Sequence, residues 1–342
     1  AAYLGDGGSG NEISTLEYGR LSATDGLSST VDAGLLASSH SATKLFIDAR
    51  QSVGAVYRKT GGGRIYVFGG NLSSDIWQWD GYNWYLVPTS GTPPGPRNWM
   101  ATAYDNRNER LYVHGGYTPL SMSNPYALDD LWQANFDASV VVWTNRTPDG
   151  GAGVVRPTAR YNHAMAYDEY NNNLVLFGGA GDNATWVFSG GSGTWKKYDA
   201  GASTPRKRAE QMMTFYGSST NTASRVLLYG GADGTTELND LYAWMGDGGT
   251  WTSVTQTTTV DGGRYAGMLA RKESDVNGSP FFLYGGLNQS GALPLDVHEL
   301  TFTPPSTASW PQRLTTGMSS QRVNSAGAMD KLGKIVLFGG WQ

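Results

Sequence analysis

Glu210 lies two residues after Arg208, and a carboxylate beside a guanidinium is a minimal kit for proton transfer. General acid–base work also asks for a second titratable group across the substrate, and the sequence identifies no partner for Glu210. Arg208 is one of six arginines, with Arg50, Arg97, Arg160, Arg264 and Arg322, each opening a short, mostly apolar stretch. Forked guanidinium donors gathered at one opening would bind a carboxylate or another anion. The same regularity suits a bond that each unit makes for its own framework, and regularity favours that reading. The residues that follow the arginines vary: Asn98-Trp99, Tyr161-Asn162, Ala209-Glu210-Gln211 and Tyr265. So do Tyr117, Ala180 and Trp341, each of which follows a Gly-Gly doublet. Exposed aromatics stack on sugar rings or anchor a protein segment. Trp99, Tyr117, Tyr161, Arg208, Glu210, Tyr265 and Trp341 are therefore the candidate binding residues, and no residue is assigned a catalytic role.

Metal and thiol chemistry find little support. There are no cysteines, so a disulfide, a thiol nucleophile and a thiolate metal site are excluded. The four histidines are His40, His114, His163 and His298, with no His-x-x-x-His spacing among them. His114 replaces an aromatic just before a doublet and His163 falls inside a strand, so both read as structural. Glu12, Asp75, Asp130, Asp240 and Asp296 recur once per repeat and read as caps on backbone N–H groups. No metal or other cofactor is expected.

The elements that position these residues repeat. Six apolar runs end in Gly-Gly: at Gly69-Gly70, Gly115-Gly116, Gly178-Gly179, Gly230-Gly231, Gly285-Gly286 and Gly339-Gly340. The first and last doublets are 270 residues apart, a mean period of 54, which marks a stacked or circular β array. Four strands recur in order. The arginine opens an innermost strand of small residues and Met, where converging units leave little room. The second strand runs into the doublet, where a tight turn needs residues without Cβ. The third begins with an acid and a branched residue, as at Asp75-Ile76-Trp77. The fourth carries Trp84, Trp143, Trp195, Trp251 or Trp310. Hairpin turns such as Asp80-Gly81 join the last two.

The ends complete one another. The sixth unit stops at Trp341-Gln342 without its third and fourth strands, and Asn11-Glu12-Ile13 resembles the missing third strand. One domain over 1–342 is expected. Residues 1–25 would supply the outer strands of the closing blade, and 322–342 its inner strands. Residues 50–321 would form five complete blades, with an inserted loop over 26–49. Closure of this kind leaves no lone inner edge.

The Gly-Gly doublets, the third-strand aromatics and the fourth-strand Trp resemble the kelch-repeat family over essentially the whole chain. The wording of the repeats is most similar to bacterial exported members. The resemblance implies an all-β fold: a six-bladed kelch β-propeller with four antiparallel strands per blade, closed by N-terminal outer strands pairing with C-terminal inner strands. The galactose oxidase branch of the superfamily uses a Tyr–Cys crosslink at copper, which a chain without Cys does not form. Another branch binds iron through Glu-x-x-x-Asp-x-x-x-His, but the positions upstream of His298 are Ser290 and Pro294. A six-bladed relative with sugar mutarotase activity suggests the alternative of a carbohydrate-active enzyme with a metal-free site at the channel mouth, using Glu210.

Charged residues make up 16% and the net charge is −4, without the basic stripe that nucleic-acid binding requires. No apolar run reaches the roughly 18 residues of a membrane helix. The Ala1-Ala2 start suits a chain left by signal-peptide cleavage, so an extracellular or cell-surface place is expected. The reading is a non-catalytic recognition or assembly propeller. Its partner would be a protein or a glycan, held by loops on one face, with self-assembly into a surface structure as one form of that role.

Overall fold

In the computed structural model, described residues are 3–6, 13–15 and 47–341, apart from 119–125, 137–139, 149–152, 180–181, 218–221, 247, 261, 273–279, 289–290, 295, 314–321 and 331–332. Their regular elements are strands. No helix among them is long and apolar enough to cross a membrane.

Each arginine-led stretch becomes an inner strand, and its small residues are a packing requirement. A Cβ on Gly54 would strike the Thr102 side chain in the neighbouring sheet, and one on Gly327 would meet the Val336 carbonyl oxygen at 2.6 Å. From the inner strands the chain meanders outward. The first sheet runs Gly54–Arg58, Arg64–Phe68, Ile76–Trp79, Trp84–Leu86, each strand antiparallel to the last. The third runs Ala164–Asp168, Asn173–Phe177, Thr185–Ser189, Trp195–Tyr198, and the fourth runs Met212–Tyr216, Arg225–Tyr229, Leu241–Met245, Thr250–Ser253. The second and fifth sheets add something the sequence did not signal. Thr89–Ser90 pairs in parallel with the outer strand Val141–Asn145, and Thr255–Gln256 does so with Thr307–Ser309. The linker leaving one blade thus seals the outer edge of the next.

These are five antiparallel four-stranded blades of an all-β propeller. A sixth inner pair, Ala326–Met329 with Ile335–Phe338, lies between the fifth blade and the first. The six inner strands surround a cavity of about 160 Å³ lined by Ala55, Thr102, Met165, Met213, Leu269 and Gly327, among others. Tyr3–Asp6 pairs with Ile13–Thr15. Most of the expected outer-strand segment 1–25, and the inserted loop 26–49 up to residue 46, lie outside the described residues.

The core sits between neighbouring blades. Its clusters each draw residues from two adjacent sheets, for example Phe68, Val113 and Trp143 across the first and second. The fourth-strand Trp makes the joint. It packs on the ring that precedes the doublet of the previous blade: Trp143 on Phe68 at 5.3 Å, Trp251 on Phe177 at 5.7 Å, Trp310 on Tyr229 at 4.8 Å. Trp195 packs on His114 at 5.6 Å, which gives that histidine its structural reason. Such pairs add about 0.5–1.5 kcal/mol beyond the area they bury.

Candidate functional site at the channel mouth

The six arginines build the frame of the mouth. Each is buried, and each donates Nη1 to the carbonyl of the first doublet glycine in its own blade, over 2.9 to 3.4 Å. Four also pair with the acid that opens the third strand: Arg50 with Asp75, Arg97 with Asp130, Arg208 with Asp240 and Arg264 with Asp296. These four acids bond side chains and do not cap backbone amides as the sequence suggested, and the fifth, Glu12, lies outside the described residues. Besides the guanidinium, Asp75 and Asp130 accept from the ring two residues on, Trp77 Nε1 at 2.9 Å and Trp132 Nε1 at 2.6 Å. His298 takes the indole's place, its Nε2 2.7 Å from Asp296, so this departure from the repeat keeps the bond. Burial opposes ionisation of Asp75 and Asp296, but hydrogen bonds from Arg50, Ser73 and Trp77, and from His298 and Arg264, outweigh it. Both carboxylates are pulled down to about 2.

Two circuits of main-chain hydrogen bonds run round this frame. In one, the second glycine of each doublet donates to the carbonyl of the next arginine over 2.8 to 3.1 Å, ending with Gly340 N–H to Arg50 O. The first glycine must therefore lie against that carbonyl: a Cβ on Gly115, Gly178 or Gly285 would come 2.6 Å from it. The other circuit forms the lip. Ser52, Trp99, Asn162, Glu210, Ala266 and Asn324 stand two residues after the six arginines, all with φ between 51° and 58°. Each donates its N–H to the carbonyl of the one before, over 2.8 to 3.3 Å, and Ser52 donates to Asn324 to close the loop. Left-handed backbone in side-chain-bearing residues costs about 1–3 kcal/mol each and persists where surroundings impose it. All six residues line a mouth pocket of about 160 Å³.

The expected binding residues divide. Arg208 belongs to the frame: buried, it donates to Gly230 O and Asp240 and lies 5.7 Å from the Tyr242 ring. It does not line the mouth pocket. Trp99 and Glu210 are on the lip. Trp99, Tyr117 and Tyr161 meet, with ring centroids 5.7 Å, 5.8 Å and 6.1 Å apart. Tyr126 joins at 5.7 Å from Tyr117. Tyr161 and Tyr126 are 42% and 41% exposed, so the cluster is an open aromatic surface. Tyr126 was missed because it sits near the end of a loop whose return path no periodic signal marks. Tyr265 is on the rim through its bridge to Leu287, where Glu210 and Glu237 add to the burial that raises its phenol. Trp341 bridges Val323 and is exposed. Ala180 lies outside the described residues.

Glu210 accepts from Asn162 Nδ2 at 2.9 Å, and burial pushes its carboxyl up. His163 also lines the pocket, with Nε2 3.0 Å from His114 Nδ1. Burial, then neighbouring positive groups, hold both histidines well below their ordinary value. No group of three or more His, Asp or Glu poised for a metal ion occurs among the described residues.

The model of the KLHDC2/KLHL20/DRC7 Kelch-repeats domain matches residues 129–340. Dynein regulatory complex subunit 7 of Chlamydomonas reinhardtii is 30% identical over 126 residues, 34% of this chain and 10% of that protein. Mei4-dependent protein 6 of Schizosaccharomyces pombe is 31% identical over 128 residues, 34% of this chain and 17% of that protein. The match thus spans about a tenth and a sixth of these curated relatives.

Proposed function

Because the chain belongs to the kelch-repeat family, we propose that it is a non-catalytic recognition propeller that docks a protein partner on its mouth face. The observation that carries this is the open cluster of Trp99, Tyr117, Tyr126 and Tyr161 beside the lip. Four rings cover apolar area at low conformational cost, and Trp and Tyr dominate binding hot spots. The two main-chain circuits hold that surface rigid, so little ordering entropy is lost on docking. Similarity to a subunit of a regulatory complex agrees with such a role. We also propose six blades, the sixth completed by residues 1–25 outside Ile335–Phe338. Its missing acid would be Glu12, which precedes Ile13 as Asp75 precedes Ile76.

A glycan is the second reading, favoured by the same rings, since aromatic faces stack on sugars. Peptide display and a glycan array, both probed with the whole chain, separate the two. Peptide ligands should lose at least about tenfold in affinity on Tyr161→Ala and be unaffected by Tyr82→Ala, in a hairpin turn on the opposite face. Loss on Tyr82→Ala alone would place recognition on the wrong side of this proposal. Binding confined to the array would replace the protein partner with a glycan.

A further inference from the structure

The mouth pocket is rich in hydrogen-bond acceptors and lacks a counter-charge. None of the six arginines lines it. The carboxylate of Glu210 has the neutral amide of Asn162 as its hydrogen-bond partner, and no described cation pairs with it. Gln211 donates Nε2 to Phe177 O at 2.6 Å, which leaves its buried Oε1 without a partner. Ser52 Oγ and His163 Nδ1 are buried and without partners as well. His163 supplies no positive charge, because burial keeps its ring neutral. An uncompensated carboxylate in a partly dry site is costly, and a cation bearing several N–H donors offsets that cost.

Shape chooses between cations. A guanidinium seeks a carboxylate with both oxygens free for a fork, and Glu210 Oε1 is already engaged by Asn162. An ammonium is a compact point charge with three donors, and it needs one free oxygen and scattered acceptors. Trp99, Met100 and Val53 give the pocket an apolar and aromatic wall for an alkyl stem.

We propose that the mouth pocket is a primary-ammonium subsite, in which Glu210 receives the side-chain ammonium of a lysine presented by the partner docked on the aromatic rim. This rests on the reading of the mouth as the binding face.

Titration of the full chain with N-acetyl-lysine methylamide, followed by NMR or calorimetry, tests it. The norleucine analogue lacks the charge at equal stem length, and butylammonium lacks the peptide backbone. The lysine compound should saturate the pocket, and the norleucine compound should not. Glu210→Gln keeps the size of the side chain and should weaken lysine binding by at least about tenfold. Butylammonium binding as well as the lysine compound would assign the site to free amines rather than to a partner's lysine, overturning that half of the proposal. Equal binding by norleucine, unchanged lysine binding in Glu210→Gln, or no binding by any of the three overturns it whole. Tyr161→Ala should leave the lysine compound bound while releasing peptide ligands, so failure of the rim and failure of the pocket read out separately.

Discussion

Trp84 holds its ring 5.2 Å from that of Phe338. One residue is in the first complete blade, the other on the last strand of the chain. The joint is the same one that Trp143 makes with Phe68 and Trp310 with Tyr229. The last inner pair is therefore seated against the first blade as any blade is seated against its neighbour.

Gly339 is the tightest point of that seat. Its φ is +69°, and an added Cβ would collide with the Arg50 carbonyl oxygen. Gly339→Ala should cost about 3 kcal/mol or more, combining backbone strain with loss of the Gly340-to-Arg50 bond. Gly61 has a similar φ of +64° but open space around it, so Gly61→Ala should cost about 1 kcal/mol. Urea denaturation compares them, and equal losses would refute the close approach.

In the third blade, Ala184 occupies the position held elsewhere by Asp75, Asp130, Asp240 and Asp296, two residues before an aromatic or His298. Two consequences are visible. Trp186 Nε1 is buried without a partner, and Arg160 reaches Asp182 only at 3.9 Å. Ala184→Asp should satisfy both donors and stabilise the chain by about 1–2 kcal/mol. A decrease in the denaturation midpoint would mean the site has no room for the carboxylate.

The depressed carboxylates set an acid limit. Asp75 and Asp296 lie near 2 in the folded chain, below their ordinary value of about 4 in an unfolded one. Their contribution is whole above pH about 4 and is lost as pH falls toward 2. Asp296→Asn should be less stable than the parent at pH 7, and the gap should narrow between pH about 4 and 2. A gap that stays constant across that range would show that ionisation of Asp296 contributes nothing.

Removal of residues 1–21 should bare the outer edge of Ile335–Phe338. The expected loss is several kcal/mol or the onset of aggregation through the open strand edge. Melting and light scattering report it, and a truncated chain that behaves as the full one does would rule out the shared closing blade.

Much of the frame was legible. The doublets marked the ends of the second strands, and the fourth-strand Trp residues marked the joints, because tight backbone approach and large rings restrict residue choice. The destination of each arginine was half legible. Its regularity spoke for scaffold, but the bond from Arg97 to Asp130 spans 33 residues and appears only when the blade folds. The site was less so. Nothing in Trp99 announces a left-handed backbone, which a bulky residue seldom adopts and which here the neighbouring carbonyls impose. Glu210 stands out in the sequence as an isolated acid, yet its burial depends on where Asn162 and Gln211 fall. The parallel strands at Thr89 and Thr255 carry too few residues for any pattern.

The lip is a bezel made of peptide groups. Its six bonds run from amide to carbonyl, so none depends on which side chain stands at Ser52, Trp99, Asn162, Glu210, Ala266 or Asn324. Any residue that keeps its N–H and tolerates a left-handed backbone can stand at those positions without breaking the circuit, which excludes proline and disfavours β-branched side chains. On the reading of the mouth as the binding face, recognition is re-specified by exchanges of that kind, one position at a time, within a main-chain circuit that is already closed.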